Sequence, residues 1–172
     1  MSEDTPTLDQ ILAVRRGAAA AVVDVDVPMV KLVVFTLDGD WYAFAADRIA
    51  EVLADCPVYF LPGCPPSLEG VIHVRGDIES VIRLRVLLGL PPAAAGAPSR
   101  ILIGQAAAMR SGLRVDSVED VLDVPADSIQ APPHTIAESL KPLVRGIATV
   151  RGHLVTVFDL DRLFTDYRAG LG

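Results

Sequence analysis

Lysine, cysteine and long apolar runs are all scarce in this sequence, and each shortage excludes a class of protein. Only Lys31 and Lys141 supply lysine, and 15 basic against 22 acidic residues leave a net charge of −7. Phosphate backbones repel a chain of this charge, so we expect no nucleic-acid partner. The chain has no basic leader followed by an apolar core, and no uninterrupted apolar stretch of roughly 18 residues. These absences predict a cytoplasmic protein without direct membrane insertion.

Motifs for catalysis, metal binding and nucleotide binding are also missing. The histidines have no metal-ligand spacing, and Cys56 and Cys64 have no second cysteine pair to form a zinc site. The chain lacks the G-x-S-x-G, G-x-x-x-x-G-K and G-x-G-x-x-G patterns. The acidic run from Asp116 to Asp127 lacks the glycine and ligand order of a calcium loop, which favours a solvated edge. We therefore predict no enzyme, no cofactor, no metal and two free cysteines that act as small buried hydrophobes.

The first 29 residues differ in pattern from the rest of the chain. Thr7 and Gln10 have capping-box spacing, and apolar residues follow at helical intervals. The alanine-rich stretch after them has no periodicity and is typical of a linker. The sequence thus predicts an N-terminal extension, a short helix and a linker over residues 1–29, before a folded domain at 30–168.

Strand patterns dominate after Lys31. Leu32–Phe35 is apolar and mostly β-branched, Asp38-Gly39 is a strong turn signal, and Trp41–Phe44 returns as a partner strand. This pattern predicts a β-hairpin.

The chain also aligns with itself. GVIHVRGDIESVIRLRVLL from Gly70 to Leu88 matches GIATVRGHLVTVFDLDRLF from Gly146 to Phe164 without a gap. In each copy a glycine followed by Asp77 or His153 suits a type II′ turn between two strands, and an apolar tail follows.

A weaker echo lies upstream of each copy. Residues 49–53 (IAEVL) resemble residues 118–122 (VEDVL), and a proline-bearing stretch follows each. Two related halves made of short strands predict an all-β fold of two small barrels with a groove between them.

Four ordered blocks of the sequence resemble the CheW-like domain family, which includes chemotaxis coupling proteins and the C-terminal domain of CheA kinases. The resemblance covers Lys31 to about Phe164, and four blocks in order are more specific than one short motif. The blocks are Ile49-x-Glu51-Val52 with Leu61-Pro62-Gly63, Gly70-Val71-Ile72-x-Val74-Arg75-Gly76, Gly112-Leu113-x-Val115-Asp116-x-Val118-x-x-Val121, and Gly146-Ile147-Ala148 with Phe158-Asp159-Leu160.

The resemblance implies a fold, a function and a set of site residues. The fold is two tandem, intertwined SH3-like five-stranded β-barrel subdomains. The function is a non-enzymatic adaptor that joins the cytoplasmic tip of a chemoreceptor to the regulatory domain of a CheA-type histidine kinase, recruited to membrane-associated receptor arrays. Apolar barrel edges would meet the kinase. The implied receptor-binding residues are Arg75, Glu51, Ile49, Val115 and Val118, and the implied structural turn residues are Gly70, Gly76, Gly146 and Gly152.

One strand departs from the family pattern. Where the family reads V-V-P-V-I-D-L, this chain has Glu79, Ser80 and Arg83 at the three atypical positions. Glu79 and Arg83 fall on one face of a strand, so they either pair with each other or meet complementary charges on a partner. These three residues are therefore candidates for partner specificity. They leave open an alternative, a specialised protein of a gliding, pilus or other non-standard array that binds only one of the two partners.

Overall fold

The computed structural model describes residues 26–170, in which ten strands form two five-stranded sheets. The predicted all-β, SH3-like architecture is confirmed. The strands are β1 Met29–Leu37, β2 Asp40–Ala45, β3 Ile49–Ala54, β4 Leu68–Val74, β5 Asp77–Arg83, β6 Arg100–Ala106, β7 Met109–Val115, β8 Ser117–Pro125, β9 Val144–Val150 and β10 His153–Phe158. The helices are α1 Leu84–Leu87 and α2 Leu160–Ala169, and single 3-10 turns span Ala46–Arg48, Ala126–Ser128 and Lys141–Leu143.

The two sheets exchange strands between the halves of the chain. Sheet 1 has the order β8-β1-β2-β10-β9, and sheet 2 has the order β3-β6-β7-β5-β4. The two orders are the same when β1 to β5 are matched with β6 to β10. Each sheet thus takes its first hairpin from one half and its other three strands from the other half. The parallel pairs β2–β10 and β7–β5 are two of the places where the halves join.

Neither sheet closes into a complete barrel by strand pairing. The edges of sheet 2 are β3 and β4, and the edges of sheet 1 are β8 and β9. In residues 26–170 no ladder joins the two edges of either sheet. Single antiparallel bridges, Tyr59 to Val71 and Gln130 to Ile147, extend the edges at equivalent places in the two copies of the repeat.

The tight turns follow from backbone conformation. The predicted Asp38-Gly39 hairpin is confirmed, with φ of +54° and +82° at its two central residues. In the β4–β5 turn the central residues are Arg75 and Gly76, with φ of +50° and +87°. Because both angles are positive, the turn is of type I′, and the predicted type II′ turn centred on Gly76 and Asp77 is wrong. Asp77 instead pairs with Val74 as the first residue of β5.

The largest core cluster lies between the sheets and receives side chains from both. It includes fully buried aromatic and aliphatic side chains from β1, β2, β6, β7 and α2. Smaller clusters line each sheet separately. Burial of this much apolar surface is the main force that holds the two sheets together.

The apolar tail predicted after the second repeat is a helix. α2 begins after Asp159, whose carboxylate accepts a hydrogen bond from the backbone N–H of Arg162 at 3.1 Å. Such a cap satisfies one of the free N–H groups of the first turn. Its apolar face is buried in the core between the sheets, through Leu160, Leu163, Phe164 and Tyr167.

Other predictions concern the ends of the chain and its cysteines. The predicted N-terminal helix lies outside the described residues. Cys56 and Cys64 are free, as predicted, but half-buried rather than fully buried. Among the helices of the described segment, none combines the length and the apolar character needed to cross a lipid bilayer.

Candidate interaction surface

An ion pair joins the two edges of sheet 2. Arg75, in the β4–β5 turn, donates from Nη2 to Oε1 of Glu51 on β3 at 2.9 Å. The pair brings together two of the predicted receptor-binding residues. The Arg75 side chain is 79% exposed, while that of Glu51 is 25% exposed. Because a guanidinium has five N–H donors, Arg75 keeps donors that face solvent.

Sheet 1 carries the equivalent ion pair. Arg151 occupies the β9–β10 turn with φ of +50°, and its guanidinium pairs with Asp120 on β8. By the two alignments of the chain with itself, Arg151 corresponds to Arg75 and Asp120 to Glu51. Both sheets thus carry an arginine–carboxylate pair at equivalent positions of the internal repeat.

Exposed apolar residues lie in the strands on both sides of each pair. In sheet 2 these are Val52, next to Glu51, and Ile78, which is 65% exposed. Their equivalents in sheet 1 are Val121 and Leu154, of which Leu154 is 72% exposed. Consecutive residues of a strand face opposite sides of the sheet, so Val52 and Val121 point away from the neighbouring carboxylates. Each sheet therefore combines a charged pair with exposed apolar side chains on the adjoining strands, a composition found in protein-binding surfaces.

Sequence reasoning missed an apolar segment beside sheet 2. Tyr59, Phe60 and Leu61 are all exposed, and Phe60 is 73% exposed. Tyr59 bridges to Val71 on β4 and contacts His73 edge-on, with ring centroids 6.0 Å apart. This segment extends the apolar surface past the edge strand β4. The overlooked signal is the run of three large apolar residues within a proline-rich loop.

The other predicted receptor-binding residues lie deeper than Arg75. Val115, at the end of β7, is fully buried in the core between the sheets. Ile49 and Val118 are half-buried and pack against the same cluster. These three side chains support the join between the sheets, and only Ile49 and Val118 retain any accessible surface.

The residues that depart from the family pattern each bond elsewhere within the chain. Glu79 is buried and accepts a hydrogen bond from Nε of Arg110 on β7 at 2.6 Å. Ser80 is 2.8 Å from Ser111, measured between hydroxyl oxygens. Arg83 is exposed and donates to the carbonyl of Pro66 at 3.0 Å. The predicted alternative of a Glu79–Arg83 salt bridge is therefore wrong, because the neighbouring strand supplies a nearer cation for Glu79.

The four predicted structural glycines are needed for two different reasons. A Cβ on Gly70 would lie 2.2 Å from the carbonyl oxygen of Tyr59, and one on Gly146 would lie 2.6 Å from that of Gln130. Both lie within strands, β4 and β9, so the prediction that they stand in turns is wrong. Their lack of a side chain instead lets the bridging segment approach each edge strand. Gly76 and Gly152 have open space around them but φ of +87° and +79°. Only their backbone conformation favours glycine there.

One aromatic contact of this region belongs to the fold rather than to a chemical site. Trp41 stacks on His153 with ring centroids 3.9 Å apart and an interplanar angle of 6°. This contact joins β2 to the start of β10. Residues 26–170 contain no group of three or more His, Cys, Asp or Glu side chains placed to hold a metal ion.

Comparison with known proteins places the chain within one family. The family model described as "CheW-like domain" matches residues 31–168. A probable chemotaxis protein CheW from Rhizobium etli is 27% identical over 136 residues, covering 79% of this chain and 88% of that protein. Chemotaxis protein CheW from Bacillus subtilis is 27% identical over 129 residues, covering 75% of this chain and 83% of that protein. The crystal structure of the scaffolding protein TtCheW from Thermoanaerobacter tengcongensis superimposes with a TM-score of 0.70 at 31% identity, covering 80% and 88% of the two chains.

Proposed function

Because this chain belongs to the CheW-like domain family, we propose that it is a non-enzymatic scaffold that couples chemoreceptors to a CheA-type histidine kinase. The names of its relatives support this proposal, since they are chemotaxis proteins and one solved structure is described as a scaffolding protein. Such a scaffold would work in the cytoplasm and be recruited to receptor arrays at the membrane.

The observation that carries the proposal is the repetition of one surface on both sheets. A coupling protein needs at least two binding faces, and each sheet here offers an arginine–carboxylate pair with exposed apolar residues on the adjoining strands. We assign the receptor tip to the surface of sheet 2 that includes Arg75, Glu51 and Ile78, which we call the Arg75 surface. The kinase regulatory domain is assigned to the apolar surface of sheet 1, which includes Val121 and Leu154. Exposed apolar groups at both faces would supply binding energy, and the ion pairs would supply orientation.

The test is binding of the intact chain to a receptor tip fragment and to a kinase regulatory domain, together and separately. Ile78→Glu should weaken receptor binding alone, and the matched variant Leu154→Glu should weaken kinase binding alone, because each places a charge in one apolar face. Both residues are exposed, so the variants should fold. If the unaltered chain binds neither the receptor tip nor the kinase domain, the scaffold proposal is contradicted. Calorimetric titration with ATP should give no heat of binding, and saturable ATP binding would also contradict it.

The alternative of a one-partner protein in a non-standard array is favoured by Arg83. Glu79 and Ser80 bond to β7 residues inside the sheet, whereas the Arg83 side chain is at the surface. Arg83 is therefore the departing residue best placed to set partner choice. Arg83→Asp should then raise affinity for the kinase of a standard chemotaxis pathway. Arg100 is an exposed arginine on β6 of the same sheet, and the variant Arg100→Asp is therefore the matched control. Equal affinities for the unaltered chain and Arg83→Asp would remove this alternative.

A further inference from the structure

A cavity of about 660 Å³ opens at the end of sheet 2, where β5 and β7 end. This volume lies in the range of small-molecule sites. The cavity is far from the Arg75 surface, because Arg75 and the cavity lie at opposite ends of β5. Seven residues of strand separate them, which is roughly 20 Å at the usual rise per residue.

Three arginines line this cavity, and two of them are compensated inside the chain. Arg114 binds both carboxylate oxygens of Glu69, at 2.7 and 2.8 Å. Burial lowers the pKa of Arg114, but hydrogen bonds to Glu69 and Asp55 outweigh it and hold the pKa above its usual value. Arg85 binds Asp116 through Nη2 at 2.6 Å. Neither guanidinium has a full charge left for a ligand.

Arg83 is the third arginine and has no such compensation. It is the direct neighbour of Arg114 across the parallel β5–β7 ladder. Within residues 26–170 its side chain makes no salt bridge, and its one hydrogen bond goes to the carbonyl of Pro66. The remaining N–H donors of Arg83 are free to meet an anion at the cavity mouth.

The opposite wall of the cavity is apolar and loosely held. It is formed by the proline- and alanine-rich segment from Pro91 to Ser99. Arg85 holds one end through the carbonyl of Pro91 at 2.6 Å, and Arg114 holds the other through Ser99 Oγ at 2.5 Å. Between these ends, a backbone hydrogen bond runs from the N–H of Ala97 to the carbonyl of Ala94 at 3.1 Å. A wall with so few bonds can adjust to a ligand's shape.

We propose that this cavity binds a small amphipathic monoanion, with its carboxylate on Arg83 and its apolar body against the segment from Pro91 to Ser99. The three arginines and three carboxylates of the lining cancel in charge, so the site rests on the free N–H donors of the one guanidinium of Arg83, which suit a single carboxylate. A polyanion is disfavoured because Asp55, Glu69 and Asp116 also line the cavity. A neutral ligand would leave Arg83 without its charge-assisted partner.

The proposal is tested with octanoate as the probe and octanamide as its neutral match. In proton–nitrogen correlation spectra of the full chain, octanoate should shift the amides of residues 83–99 and 114 in a saturable way. Octanamide should bind about tenfold more weakly, as expected for loss of a charge-assisted hydrogen bond. Arg83→Gln should weaken octanoate binding by a similar factor, while Arg75→Gln at the distant surface leaves it unchanged.

A second variant tests the cavity independently of Arg83. Ala93→Trp places a large side chain on the exposed apolar wall and should abolish octanoate binding by filling the space. The proposal is overturned if octanoate shifts no amides around the cavity, or if octanamide binds equally well. Unchanged binding by Arg83→Gln or by Ala93→Trp would overturn it as well.

Discussion

Arg75 and Arg151 occupy equivalent turn positions, each with φ of +50° and each paired with a carboxylate on the far edge strand of its sheet. A non-glycine residue in this left-handed conformation costs roughly 1 kcal/mol. Asparagine or glycine would adopt the turn more easily. The backbone conformation thus disfavours arginine at this position, so the role of the residue lies in its side chain.

The first prediction separates two roles of Arg75 by charge exchange. Arg75→Glu faces Glu51 with a like charge and should weaken binding of the receptor tip. The melting temperature should change little, because an exposed pair contributes at most about 1 kcal/mol. Binding is measured by titration calorimetry with the tip fragment.

The double variant Arg75→Glu/Glu51→Arg restores the pair with its polarity reversed. If Arg75 contacts the receptor directly, the double variant should bind as weakly as the single one. Full recovery of binding would mean that Arg75 acts only by holding the edges of the sheet together. Arg151→Glu on sheet 1 is the control and should leave receptor affinity unaltered.

The second prediction ranks two glycines by the cause of their constraint. Gly76→Ala meets open space and should cost about 1 kcal/mol for positive φ alone. Gly70→Ala would press a methyl group onto the Tyr59 backbone, which cannot move away cheaply. It should cost more, about 3 kcal/mol or above. Urea unfolding measures both, and Gly76→Asn should be milder than Gly76→Val. Equal costs for the two alanine variants would contradict the proposed clash at Gly70.

The third prediction concerns a tight turn without glycine. Ala107 and Ala108 connect β6 to β7 with φ of +50° and +56°. Two bonds hold the turn against α2, from Arg168 to the Ala107 carbonyl at 2.8 Å and from the Ala107 N–H to Asp161 at 3.3 Å. Ala108→Gly should relieve strain and stabilise the protein by about 0.5–1 kcal/mol. The same change at Ala54, an exposed residue of β3, should destabilise it. A loss of stability in Ala108→Gly would show that the turn is not strained.

The fourth prediction is a loss of stability at alkaline pH through Tyr42. Burial, and then the charges of Asp40 and Asp38, raise the pKa of Tyr42 above its usual value of 10.0. The folded state thus holds the phenol proton more tightly than the unfolded state does. Stability should fall as the pH rises above about 10, where the unfolded state loses this proton first.

Tyr42→Phe should flatten this alkaline fall in urea unfolding, because the ring keeps its stacking on Phe158 but loses the titrating group. Tyr59→Phe removes an exposed tyrosine instead and serves as the control. The control should keep the alkaline fall. An identical pH profile for Tyr42→Phe and the unaltered chain would contradict the assignment.

Local patterns in the sequence predicted the first hairpin and the repeat, while the turn type in the repeat was wrong and pairing across the chain had no local signal. Asp38-Gly39 encodes its hairpin because the conformational preference is contained in the two residues. The position of Arg110 beside Glu79 depends on the β5–β7 register, which no local pattern reveals. The spacing of Leu160, Leu163 and Tyr167 after a capping Asp159 did contain the α2 signal, yet the strand-rich context concealed it.

The candidate surface was predicted in part for the same reason. The resemblance pointed to Arg75 and Glu51, and the structure brings them within 2.9 Å. Val115 comes from another block of the resemblance and is buried, because it shares the core-facing side of β7 with Leu113. The repeat indicated equivalent strands but not which copy each would pair with. The two copies carry similar strand patterns, so the pattern alone does not distinguish pairing within a copy from pairing between copies.

The strand order has a consequence for the growing chain on the ribosome. Sheet 2 is built from consecutive strands, β3 to β7, whereas sheet 1 needs β1 and β2 as well as β8 to β10. Sheet 2 can therefore assemble once Val115 has emerged, while the first hairpin gains β8 only after Pro125 and sheet 1 is complete only after Phe158. The nascent protein would carry one finished sheet beside an unpartnered hairpin. Synthesis of the last strands, rather than of the first, sets when the surface with Arg151 and Asp120 comes into being.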